Sequence, residues 1–169
     1  RRRIRRLRLD ATMPKLSLKR ASHELARLDP VMGRLVEHHG PVKFDWGTKR
    51  EWFVALARSI CYQQLAGRAA AAIYGRFENL FDGEPTPGAV LRKRVPTLRA
   101  CGLSGGKTAS IQDLARKVES GTIELARFPR LSDDEITAQL TQVRGIGVWT
   151  AQMFLIFQLD RQDVWPILD

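Results

Sequence analysis

Apolar residues recur mostly at i, i+3 and i+4 along this chain, the spacing that lines one face of a helix, and no stretch alternates cleanly with the two-residue period of a strand. The pattern predicts an all-α protein. Leu18, Leu25 and Leu28 mark a short amphipathic helix over 17–28, and Asp29-Pro30 supplies a cap and a first-turn proline for a second helix that Gly40-Pro41 stops. Thr48 and Glu51 have the spacing of a capping box and open an apolar helix through Trp52, Phe53, Leu56, Ile60 and Cys61. A further helix over about 66–80 carries small residues, Ala69 to Ala72, that permit close packing. Gly83, Pro85, Pro87 and Gly88 mark a loop between lobes.

Two short helical pieces, about 88–93 and 96–101, lead to the turn Cys101-Gly102-Leu103-Ser104-Gly105-Gly106, whose glycines separate them from a helix over 107–119. Ser132 and Glu135 form a second capping box, starting a helix that ends near Val143. Arg144-Gly145-Ile146-Gly147 breaks it, and a last apolar helix runs from about Val148 to Leu159. Pro166 has the look of the first turn of yet another helix.

Charge changes this picture less than the total of +10 suggests. Residues 1–20 hold nine Lys or Arg against Asp10 alone, so eight of the ten net positive charges lie there and the remainder is close to neutral. Residues 1–16 therefore read as a basic, flexible arm, which suits either a clamp on DNA phosphates or an Arg-rich leader or tail. Cys61 and Cys101 are too few for an iron–sulfur cluster or a four-cysteine zinc site and read as free thiols. No apolar run approaches the roughly 18 residues of a membrane span, so a membrane partner is not expected.

The chemistry concentrates in Leu140-Thr141-Gln142-Val143-Arg144-Gly145-Ile146-Gly147-Val148-Trp149-Thr150-Ala151. Two helices joined by Gly-x-Gly present consecutive backbone N–H groups at the second helix's start, a ready phosphate site, although an ordinary tight turn has the same look. One helix length further on stands Asp163-Val164-Trp165-Pro166-Ile167-Leu168-Asp169. With Ser59-Ile60-Cys61-Tyr62-Gln63-Gln64-Leu65 and Gly102-Leu103-Ser104 followed by Lys107, these motifs stand in the order found in the helix-hairpin-helix DNA glycosylases. The chain resembles that superfamily over roughly 30–169, and most closely its 3-methyladenine DNA glycosylase II branch.

The resemblance implies two helical lobes with a cleft, a glycosylase domain over 17–169 with its hairpin at about 133–159, and a segment truncated at the C-terminus, its last helices missing. It implies base excision repair: hydrolysis of the N-glycosidic bond of alkylated purines, of the 3-methyladenine and 7-methylguanine type, after the base is flipped out of double-stranded damaged DNA. Asp169 would be the catalytic carboxylate, stabilising positive charge on the sugar. Gly145, Gly147 and Thr150 would bind the DNA phosphate. Gln64 and Leu65 would form the wedge that fills the vacated stack, though polar residues at a helix end explain Gln63 and Gln64 as simply. Trp149 and Met153 would line the base pocket, Trp149 by stacking on a cationic purine, with a core tryptophan as the plain alternative.

Members that also cut the strand carry a lysine where Trp149 stands, so a monofunctional enzyme is expected. No cofactor is required. A structural monovalent cation, Na or K, is allowed at the hairpin through the backbone carbonyls of Thr141, Val143 and Ile146. Met153 replaces an aromatic and Leu168 a second acid found in other members, which leaves the lesion range open. The other readings are a non-catalytic helix-hairpin-helix DNA-binding module and a glycosylase for oxidised or deaminated bases. The protein is expected to be a monomer and intracellular, in a bacterial cytoplasm or nucleoid, or in a nucleus if eukaryotic.

Overall fold

The computed structural model describes residues 17–43 and 50–166. Every regular element among them is helical, as the apolar period requires. Contacts divide the chain into two compact units, Arg1–Trp46 and Gly47–Asp169.

The first unit contains α1 (Leu18–Leu28) and α2 (Pro30–His39). Asp29 joins them: its carboxylate accepts the N–H groups of Val31 at 2.7 Å and Met32 at 3.1 Å, two of the orphan donors of α2. Gly33 lets the helices approach, since a Cβ there would lie 3.2 Å from the Ala26 carbonyl. The buried residue of α1 is Ser22, whose hydroxyl donates to the Leu18 carbonyl at 2.8 Å and accepts the Val42 N–H at 3.0 Å. Leu25 and Leu28 are exposed.

The second unit is built on α3 (Trp52–Tyr62), which buries Phe53, Val54, Leu56, Ala57, Ile60 and Cys61. It packs against α4 (Gly67–Glu78), α7 (Gly105–Glu119) and α9 (Val148–Leu159). The short helices α5 (Pro87–Arg92) and α6 (Val95–Ala100) lie on α7, and α8 (Asp133–Leu140) pairs with α9. Phe128 is fully buried between Trp52, 6.2 Å away and stacked, and Phe154, 5.9 Å away and edge-on. It belongs to a 3-10 turn, Leu125–Arg130, that the helical period does not announce because Pro129 interrupts it.

Several boundaries differ from expectation for local reasons. Glu51 is the residue preceding α3 and makes no side-chain cap, so it is not the third residue of a box; Thr48 lies outside the described residues. Gly105 and Gly106 do not separate helices but form the first turn of α7, because Ser104 caps it by accepting the Lys107 N–H at 3.2 Å. The break falls at Gly102, with φ +96°. α8 stops at Leu140 rather than near Val143, where single-turn bonds such as Val143 N–H to Leu140 O at 3.0 Å replace the helical ladder. The Ser132–Glu135 capping box is present as expected, with reciprocal bonds of 3.3 and 2.7 Å.

Candidate nucleic-acid interface and active site

The hairpin between α8 and α9 alternates buried and open positions. Val143 and Ile146 are buried and anchor it in the core, while Arg144, Gly145 and Gly147 face solvent. The first bond entering α9 runs from the Ala151 N–H to the Gly147 carbonyl at 3.1 Å, so the amides of Val148, Trp149 and Thr150 precede the helical ladder. A Cβ at Gly147 would meet nothing within 4 Å, which leaves free approach to these donors. The arrangement suits a phosphate oxygen at a positive helix end. The Thr150 side chain is buried, so its contribution here is the backbone amide.

Helix α7 holds the hairpin from behind. The Asp113 carboxylate accepts the Arg144 N–H at 2.9 Å and pairs with the Lys117 ammonium at 2.6 Å, and that ammonium also donates to the Gln142 carbonyl at 2.7 Å. Partial burial pushes the Asp113 carboxyl up, but the Arg144 amide and Lys117 together outweigh it and hold the group below its ordinary range. Gly145 adopts φ +76°, and a Cβ there would lie 2.7 Å from the Ser110 hydroxyl. Neither Asp113 nor Lys117 was legible as a functional residue, since each sits about 25 to 31 residues from the backbone group that it holds.

The hairpin carbonyls differ in what they accept. Those of Gln142 and Gly145 are occupied by side-chain donors, whereas Val143 spends one acceptor site on the Ile146 N–H at 3.0 Å and keeps its second. Neutral carbonyl oxygens are the right donor type for a hard cation.

The segment after α3 is the second component. Gln63 ends the helix in an extended conformation, and Gln64 then takes φ +53°, a left-handed state that costs a non-glycine residue about 1–2 kcal/mol. Gln64 and Leu65 are both exposed. The Lys107 ammonium donates to the Cys61 carbonyl at 2.8 Å, tying the start of α7 to the end of α3; burial lowers the Lys107 pKa. The Gln63 side-chain amide donates to the Gly145 carbonyl at 2.8 Å, which brings this segment onto the hairpin.

Trp149 is 40% exposed at the start of α9. Met153, one turn later, is half-buried. Beyond α9, Asp160 turns the chain with φ +55°, and Arg161 fixes the exit: its guanidinium donates to the carbonyls of Leu131 at 2.9 Å and Phe128 at 3.3 Å and lies 3.3 Å from the Asp133 carboxylate. Val164 packs on the core and Trp165 is exposed. Asp169 lies outside the described residues, as do the basic arm 1–16 and all but Pro166 of the helix expected to start there. The thiols are buried and free, and burial pushes Cys61 up to about 12, so it stays neutral and acts as core. Among the described residues no cluster of His, Cys, Asp or Glu could hold a metal, and no helix is long and apolar enough to cross a membrane.

Comparisons with known proteins bear on the family and the fold. The family described as HhH-GPD superfamily base excision DNA repair protein matches residues 57–169. The chain is 38% identical over 157 residues to DNA-3-methyladenine glycosylase 1 of Schizosaccharomyces pombe, covering 90% of this chain and 69% of that protein. A solved structure of the S. pombe 3-methyladenine DNA glycosylase in complex with abasic DNA superposes with a TM-score of 0.76 at 37% identity, covering 88% of this chain and 74% of the other. A DNA-3-methyladenine glycosidase from Bacillus halodurans superposes with a TM-score of 0.79 at 33% identity, covering 93% and 72%.

Proposed function

The chain belongs to the HhH-GPD superfamily of base excision DNA repair proteins, and on that basis we propose that it is a monofunctional DNA glycosylase that hydrolyses alkylated purines out of double-stranded DNA. The observation that carries the reading is the bond from Gln63 to Gly145, which sets an exposed, strained segment beside an open row of backbone amides. One part can grip a phosphate while the other enters the base stack. A binding module needs only the first, and the relatives named above favour neither that alternative nor an enzyme for oxidised or deaminated bases.

The steps follow from the side chains. Amides of Gly145, Gly147 and the first turn of α9 hold a phosphate, and Gln64 with Leu65 fills the gap left by the extruded base. Trp149 stacks on that base through the attraction of an electron-rich ring for a cationic purine, with Met153 beside it. Asp169 stabilises the oxocarbenium-like sugar and orients or deprotonates the attacking water. An alkylated purine already carries positive charge and leaves readily, so one carboxylate suffices. Trp149 has no amine to attack the sugar, hence hydrolysis without strand cleavage. A monovalent cation, Na or K, held by the carbonyls of Thr141, Val143 and Ile146 would add positive charge behind the phosphate. The enzyme acts where its DNA is, a bacterial nucleoid or a nucleus.

Asp169→Asn tests the assignment. Removing the carboxylate should lower release of 7-methylguanine from a methylated duplex by at least about 100-fold, with DNA affinity kept within about threefold. Equal release by both proteins would remove Asp169 from the mechanism.

A further inference from the structure

We propose that Gln63 is a positioning residue that registers the wedge against the phosphate grip, acting through its neighbour Gln64. This rests on the glycosylase reading and on Gln64 as the inserted side chain. The segment between α3 and α4 is short, exposed and strained at Gln64, so without restraint it would shift when pressed into a base stack. Two ties hold it. Lys107 fixes the last turn of α3 through the Cys61 carbonyl at 2.8 Å, and Gln63 fixes the next residues through the Gly145 carbonyl at 2.8 Å.

The second tie ends on the hairpin itself. Gly145 is immobilised there: its neighbour Arg144 is held by Asp113 at 2.9 Å, its own backbone is left-handed, and Ser110 stands where a Cβ would be. Gln63 therefore connects the residue that enters the stack to the residue that grips the phosphate by one covalent link and one hydrogen bond. Extrusion costs a few kcal/mol, and the wedge can supply it only if the phosphates are held fixed relative to the side chain that pushes. Displacements near 1 Å are enough to lose about 100-fold in rate. The bond also needs this side-chain type. A carbonyl demands a donor, and the Gln63 amide reaches it while a glutamate at the same length would present only acceptors.

A double-mutant cycle tests the proposal. Gln63→Glu, Gln63→Leu, Gln64→Ala and the Gln63→Leu/Gln64→Ala pair are compared in single-turnover release of 7-methylguanine, with 2-aminopurine beside the lesion reporting extrusion. Each Gln63 variant should slow release from a fully paired duplex about tenfold and suppress the fluorescence rise, and unfolding temperature should be unchanged. When the lesion lies opposite an abasic site, where no pairing resists extrusion, the loss should shrink to within about twofold. The pair should be no slower than Gln64→Ala alone, because Gln63 acts through Gln64. Losses that multiply in the pair, or that are equal on both duplexes, would overturn the positioning role. A parent protein that releases no base from either duplex would instead overturn the glycosylase reading beneath it.

Discussion

A methyl group added at Gly145 and one added at Gly147 meet different obstacles, although the two residues are neighbours but one. At Gly145 the backbone is left-handed and the new Cβ would lie 2.7 Å from the buried Ser110 hydroxyl, which is itself bonded to the Gly106 carbonyl at 3.0 Å. At Gly147 φ is −94° and the space is empty. Gly145→Ala should therefore cost more than the roughly 1–2 kcal/mol of the backbone strain alone, measured by chemical denaturation. Gly147→Ala should leave stability within about 0.5 kcal/mol and weaken binding to DNA, because only the approach of the phosphate is obstructed. If Gly147→Ala binds DNA as the parent does, the open amide row is not the phosphate site. The sequence marks both glycines as a turn; it does not separate the one needed for the backbone from the one needed for access, because that depends on Ser110, 35 residues earlier.

At the scale of elements, the hairpin is held by α7 rather than by its own two helices. Asp113 and Lys117 lie one turn apart on α7 and engage the Arg144 N–H and the Gln142 carbonyl on either side of Val143. Removing the carboxylate leaves the Arg144 amide without its partner and the Lys117 ammonium with only the Gln142 carbonyl, so Asp113→Ala should destabilise the fold by about 1.5–3 kcal/mol. Because the folded state lowers the Asp113 pKa, the contribution is complete above its ordinary value of 3.8 and is lost as pH falls through the lower folded value. Unfolding curves should show the parent losing stability in that acid range more steeply than Asp113→Asn. Parallel curves would mean that Asp113 is not tied to the hairpin as described. Local signals made the elements themselves legible: the Ser132–Glu135 box, Asp29-Pro30 and the glycine break all act within a few residues. The bonds that shape the site join residues up to 82 apart in sequence and leave no periodic trace.

Across the whole molecule, the charge is spread unevenly along the sequence. Eight of the ten net positive charges fall in residues 1–20, so the phosphate grip proposed for the hairpin would draw on backbone dipoles within a remainder that is nearly neutral. Such a site recognises the phosphate by geometry and leaves selectivity to the pocket. Fold class and family were readable because four motifs keep their order over most of the chain, whereas Asp113, Lys117 and Arg161, and the bond from Gln63 to Gly145, became visible only through packing. The exit of α9 illustrates this: Arg161 holds carbonyls in and beside the 3-10 turn around Phe128, an element that the apolar pattern does not announce.

The central claim is base release without strand cleavage, and one assay reads both. A duplex carrying 3-methyladenine and 7-methylguanine is incubated with the protein in the presence and absence of borohydride. Free alkylated bases should appear while the strand stays intact until alkali opens the abasic sites, and borohydride should trap no covalent adduct, because Trp149 offers no amine. A strand cut by the protein itself with a trapped adduct, or a duplex from which no base is freed, would contradict the account.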